Sequence, residues 1–145
     1  MKALLQRVKF ARVEVEGECV GEINQGLLVF LGLEKHDDEA AVTKMMTRLL
    51  NYRVFSDSNG KMNQSVIDVG GGVLLVSQFT LAAETKKGLR PGFSTAAAPN
   101  IAEGLYQYAL AELAQQYGKV ASGKFGADMQ ISLLNDGPVT FLLEL

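Results

Sequence analysis

The run Gly26-Leu27-Leu28-Val29-Phe30-Leu31-Gly32-Leu33 contains no polar or charged side chain. It follows Asn24-Gln25, a turn signal. It is far too short for a membrane helix, which needs ~20 apolar residues. A strand that is apolar without alternation is buried on both faces, so this segment demands cover on two sides. The chain can supply it. At 145 residues, a single domain buries roughly 70% of the surface its unfolded chain exposes, without a disulfide or structural metal. Hydrophobic residues are 48% and charged residues 21% of the chain, an ordinary globular balance that excludes disordered, collagen-like and coiled-coil classes. The opening Met1-Lys2-Ala3-Leu4-Leu5-Gln6-Arg7 lacks the apolar stretch of a signal peptide. The expectation is a cytoplasmic protein.

The rest of the chain reads as strands around two helices. Leu5, Val8, Phe10, Val13 and Val15 alternate with polar residues, with a slip near Ala11, as in one long bent strand or two short ones. Cys19 to Ile23 reads as a second strand. Asp37 or Asp38 caps a helix whose apolar stripe is Val42, Met45, Met46, Leu49 and Leu50. Ser65 to Val69 reads as a short strand. Gly70-Gly71-Gly72 allows a turn or a close backbone approach. Val73 to Val76 is a buried strand. A second helix opens near Pro99, buries Ala102, Leu105, Ala109, Leu113 and Tyr117, and stops at Gly118. Met129 to Leu134 and Val139 to Leu145 read as strands separated by Asn135-Asp136-Gly137-Pro138. The fold class is α/β: a single sheet-dominated domain over residues 1–145, with a curved or barrel-like mixed β-sheet and two main helices.

Several chemistries are excluded. His36 is the single histidine; it sits among acidic neighbours before a helix cap and reads as a solvated loop residue. Cys19 has no second thiol, so metal binding is disfavoured, and a small buried hydrophobe explains it better. The triple glycine is followed by valine and leucine, unlike a phosphate loop. No metal and no cofactor are expected. A formal net charge of -2 argues against gripping a long stretch of phosphates.

Two segments resist a purely structural reading. Ser77-Gln78-Phe79-Thr80-Leu81 ends a buried strand with two hydroxyls and an amide around an aromatic ring, and polar groups at a strand end often line a site. Hydroxyls that merely satisfy neighbouring backbone are the blander alternative, and on composition alone the weightier one. Asn135-Asp136-Gly137-Pro138-Val139-Thr140 looks like a hairpin turn, yet Pro138 removes the donor that a tight hairpin wants.

Together these two segments resemble the signature motifs of the D-aminoacyl-tRNA deacylases, also called D-tyrosyl-tRNA deacylases. The resemblance spans nearly the whole chain. Gln6-Arg7-Val8, Gly26-Leu27-Leu28-Val29, Arg90-Pro91 with Phe93, and Phe125-Gly126-Ala127 with Met129 also look like family positions. The resemblance implies a homodimer, free of metal, that hydrolyses the ester of D-aminoacyl-tRNA and of mischarged glycyl-tRNA while sparing L-aminoacyl-tRNA. It further implies that Gly137-Pro138 is a cis peptide reaching across the subunit interface. There the Gly137 and Pro138 carbonyls would hold the amino group and wall off an L side chain.

Under that reading Ser77, Gln78, Phe79, Thr80, Gly137 and Pro138 are the catalytic set. Backbone N–H groups near Phe79 and Thr80 would stabilise the oxyanion. The nucleophile is either Thr80 Oγ or, favoured here, water assisted by the substrate's terminal 2′-hydroxyl; no histidine is placed to activate Thr80. Phe125 and Met129 resemble the adenine-pocket positions. Arg7 would anchor the Gly-Pro loop. Lys86, Lys87 and Arg90 suit a few phosphates of tRNA, although a solvated loop explains them almost as well. The competing readings are an RNA-binding module without catalysis and a small protein that dimerises through apolar strands.

Overall fold

The structure, a computed structural model, describes residues 1–145. Strand β1 (Lys2–Val15) organises the sheet. Glu16 and Gly17, both at positive φ, turn the chain into β2 (Glu18–Ile23), which pairs antiparallel with the far end of β1. β3 (Gly26–Gly32) then pairs antiparallel with the near end of β1. Helix α1 (Glu39–Asn51) follows, capped by the Asp38 side chain, which accepts from Ala41 N–H at 2.8 Å. A small ribbon of β4 (Phe55–Ser56) and β5 (Met62–Gln64) leads to β6 (Gly72–Ser77), which lies parallel to β3. Helix α2 (Pro99–Gln116) crosses over, with Pro99 in its first turn. β7 (Val120–Ser122) joins β6 in parallel, and β8 (Gln130–Glu144) returns along β1. The main sheet runs β2-β1-β3-β6-β7 with β8 added beside β1. Gly21 of β2 approaches β7 so closely that a Cβ would stand 2.3 Å from Ser122 O, which nearly closes the sheet into a barrel.

This closure explains the apolar runs. On one face Leu27, Val29, Leu31, Val73 and Leu75 pack with Met45, Met46, Leu49, Tyr106, Ala109 and Leu113 of the helices. On the other, Leu28, Leu74 and Val76 pack with Val8, Ala11 and Val13 inside the barrel. β1 changes face part-way: Ala3 and Leu5 join the helical core, whereas Ala11 and Val13 join the barrel core. The register against β8 shifts on either side of Val8, so a bulge there accounts for the slip in alternation.

Three expectations are corrected. Ser65 to Val69 is a turn, not a strand: the Asp68 carboxylate accepts from Ser65 N–H at 2.7 Å and from Ser65 Oγ at 2.8 Å. β8 is continuous through Pro138, because residues 136–139 swell into a bulge opposite Arg7 and no ladder donor is needed there. Cys19 is exposed, since β2 presents that position to solvent. The Gly137–Pro138 bond is cis, as expected.

Gly26 and Gly72 face each other where β3 and β6 begin. A Cβ on Gly26 would lie 1.9 Å from Gly72 O and 2.7 Å from Gly72 N, against backbone that cannot swing aside. Gly104, exposed on α2, has nothing within 4 Å of its Cβ position. Gly26→Ala should therefore cost at least about 3 kcal/mol, and Gly104→Ala should add about 0.5–1 kcal/mol. Denaturant unfolding of both variants checks the opposite signs; a neutral Gly26→Ala would contradict the packing.

Candidate active site

β6 ends at Ser77, and the chain turns at once into a 3₁₀ segment, Phe79–Ala82. Gln78 N–H donates to Leu31 O at 2.8 Å, which ties this turn to the end of β3. The first amides of a 3₁₀ turn have no partner inside it, and those of Phe79 and Thr80 find no other acceptor. Two N–H donors are thus left side by side at a strand end. Gln78 Nε2 donates to Thr80 Oγ1 at 2.5 Å. No carboxylate, histidine or amine bonds that hydroxyl; the Gln78 amide is its partner.

Beside the turn lies a cavity of about 690 Å³. Its walls come from the ends of β3 and β6 (Leu31, Leu33, Val76, Ser77, Gln78, Phe79), the approach to α2 (Phe93, Ala96 to Pro99, Ala102) and the β7–β8 connection (Phe125 to Ala127, Met129, Ile131). That volume suits a ligand of nucleoside size, and an apolar pocket with a few convergent polar groups is the usual form of such a site. Phe79 and Phe93 stand at its rim with ring centroids 5.0 Å apart. The wall near α2 is held by Ala97 N–H donating to Leu33 O at 3.0 Å and by Thr95 Oγ1 donating to Ala82 O. A Cβ on Gly123 would come within 2.7 Å of Met129 Sδ, so that glycine lets the methionine seat against the barrel.

The structure therefore gathers Ser77, Gln78, Phe79, Phe125 and Met129 around one cavity, with Thr80 exposed beside it. Gly137, Pro138 and Arg7 lie elsewhere, on the β1–β8 bulge, and do not line the cavity of their own chain. Arg7 donates through Nε to Asp136 O at 2.8 Å and through Nη1 to Val54 O at 2.7 Å, so it anchors the bulge. Asn135 completes the frame: Val139 N–H donates to its Oδ1 at 2.7 Å. Gly137 has φ of +150°, and a Cβ there would lie 2.6 Å from Val139 Cγ2, so only glycine fits comfortably. Lys86, Lys87 and Arg90 are exposed on a hairpin that rises from the rim at Phe93. Residue-by-residue reading missed Ala96, Ala97, Ala98 and Ala102 as wall residues; their small size is the one signal they carry. It also missed Asn135, whose capping role depends on the bulge.

The family model for D-Tyr-tRNA(Tyr) deacylase matches residues 4–144 of this chain. The chain belongs to that family. A D-aminoacyl-tRNA deacylase of Pseudomonas fluorescens (strain Pf0-1) is 65% identical over 144 residues, covering 99% of both chains. One of Stutzerimonas stutzeri (strain A1501) is 62% identical over the same length, again covering 99% of each. Among solved structures, a "c-Myc DNA Unwinding Element Binding Protein" superposes with a TM-score of 0.96 at 42% identity, covering 100% of this chain and 99% of that one. A probable eukaryotic D-amino acid tRNA deacylase superposes at 0.88 with 16% identity, covering 99% and 98%, and shares the fold. The nearly closed sheet with two helices is thus the architecture of the family. No helix is long and apolar enough to cross a membrane.

Behind the cavity, Tyr106 braces the Phe125 ring at a centroid distance of 5.8 Å. Its hydroxyl donates to Leu75 O at 2.8 Å. Burial pushes its phenol up to about 12, against a smaller opposing pull from Gly123 N–H. Unfolded, the same phenol ionises near 10, so its stabilising contribution is present below pH 10 and declines as pH rises towards 12. Tyr106→Phe should cost about 0.5–1.5 kcal/mol at pH 8, and the gap between wild type and variant should narrow by pH 11. Urea unfolding at the two pH values measures this; a constant gap would contradict the burial of the phenol.

Proposed function

We propose that the protein hydrolyses the ester joining a D-amino acid, or mischarged glycine, to the terminal adenosine of tRNA, and spares the L-aminoacyl ester. The observation that carries the reading is the meeting of Ser77-Gln78-Phe79 with Phe125 and Met129 around one nucleoside-sized cavity. The adenine packs between an aromatic ring and a thioether. The ester carbonyl points at the free N–H groups of Phe79 and Thr80, which bind the oxyanion as it forms. Water, assisted by the neighbouring 2′-hydroxyl of the substrate, adds to the carbonyl carbon. The tetrahedral intermediate then expels the 3′-oxygen, which takes a proton, and free amino acid and tRNA leave. Thr80 is a poor nucleophile here, because its hydroxyl is bonded by an amide and no base faces it. This activity places the protein with tRNA in the cytoplasm.

Selectivity needs hard atoms where an L side chain would go. The Gly137 and Pro138 carbonyls of a second subunit supply them and hold the amino group. Two features favour a second subunit as the source. The motif does not line the cavity of its own chain, and both Gly137 and Pro138 are exposed. In addition, β8 pairs with β1 alone and exposes Leu134 and Leu142 along the open edge, a surface suited to a second copy. A D side chain then points to solvent, so many are tolerated, and glycine has none to reject. Lys86, Lys87 and Arg90 meet phosphates of the acceptor end.

D-tyrosyl-tRNA and L-tyrosyl-tRNA, incubated side by side, should differ by at least about 100-fold in hydrolysis, equivalent to some 2.7 kcal/mol. Retention of intact D-tyrosyl-tRNA would favour an RNA-binding module instead. Thr80→Ala should keep measurable turnover, whereas a terminal 2′-deoxy substrate should lose about 100-fold or more. The reverse pattern would assign the nucleophile to Thr80.

A further inference from the structure

Leu89 is fully exposed, more so than any other large apolar side chain of the molecule. Single exposed leucines are ordinary; its surroundings distinguish this one. It sits at the tip of a short hairpin closed by paired backbone bonds between Glu84 and Gly92, at 2.7 and 3.0 Å. Gly88, at φ of +72°, makes the turn. Lys86, Lys87 and Arg90 flank Leu89, and none of the three is in an ion pair. The hairpin runs directly into Phe93, a wall residue of the cavity. An apolar tip among unpaired cations, joined to a nucleoside-sized pocket, can meet a single strand: the cations take phosphates, and the aliphatic side chain buries apolar surface against the face of an unstacked base.

Reach sets which base. Leu89 is three Cα–Cα steps from Gly92, with Arg90 and Pro91 between them, a span of at most roughly 10 Å. Stacked nucleotides of one strand are spaced ~3.4 Å apart. With the terminal adenosine in the cavity, that span leaves Leu89 within reach of the few nucleotides next to it and short of a more distant duplex.

We propose that Leu89 packs against an unpaired base adjoining the terminal nucleotide of the substrate, while Lys86, Lys87 and Arg90 hold the phosphates around it. This rests on the function proposed above and adds a determinant that separates a whole tRNA from its terminal nucleoside. The test compares kcat/KM for D-tyrosyl-tRNA with that for the minimal ester 3′-O-(D-tyrosyl)adenosine. In Leu89→Ser the ratio of the two should fall about 5- to 10-fold, the effect of losing the partial burial of one leucine side chain. Leu89→Met, which keeps an apolar contact, should restore it. An unchanged ratio, or an equal fall on both esters, would overturn the inference and leave the deacylase reading standing. Failure of the wild type to cleave D-tyrosyl-tRNA would overturn that reading and this inference with it.

Discussion

The parallel contact between β3 and β6 is the constraint on which the rest of the molecule depends. It is close because Gly26 meets Gly72 with no Cβ on either side. From that point both strands run apolar on two faces, each buried side chain contributing about 1.5–3 kcal/mol. The helices take one face and the barrel interior takes the other. The two strands then end together, and the 3₁₀ turn at Phe79 is hung from Leu31 O by Gln78 N–H. A cavity at the carboxyl ends of parallel strands follows from this arrangement, as in open α/β sheets generally.

Much of this was legible in the residues. The uninterrupted run 26–33 announced a strand covered twice. The glycines at 70–72 announced a close approach, and Gly72 makes one. The stripe of α1 and its Asp38 cap read directly from spacing. Other features escaped because their cause is not local. Val66 and Val69 suggest a strand, but a serine–aspartate pair closes a turn there. Pro138 suggests a strand end, but a bulge accommodates it, held by Arg7 and Asn135 from positions far away or around the corner. The alanines before α2 become a wall only after the helix crosses the sheet. The motif at 77–81 and the pair Phe125 and Met129 read as a site through resemblance, and the fold brings them to one cavity.

On the proposed reading, the site divides its tasks by rigidity. The cavity binds the part of the substrate that every aminoacyl-tRNA shares, so it can be built from ordinary side chains. Chirality is judged by backbone carbonyls, whose position substitution cannot easily delete. Arg7 lies between two carbonyl acceptors, Asp136 O and Val54 O, and so links the bulge to the segment after α1. The side chain of the amino acid is left outside, which reconciles strict handedness with broad tolerance.

The central claim is that each working site combines the cavity of one subunit with Gly137-Pro138 of another. Complementation tests it directly. Ala102→Trp would block the cavity, and Gly137→Ile would disrupt the bulge, where φ is +150°. Each variant alone should fail to hydrolyse D-tyrosyl-tRNA selectively. On the proposed reading, co-expression yields mixed dimers in which the intact cavity of one subunit meets the intact motif of the other. D-selective hydrolysis should return in those mixed dimers. No recovery in purified mixed dimers would contradict the account, because it would mean that cavity and motif must come from the same chain.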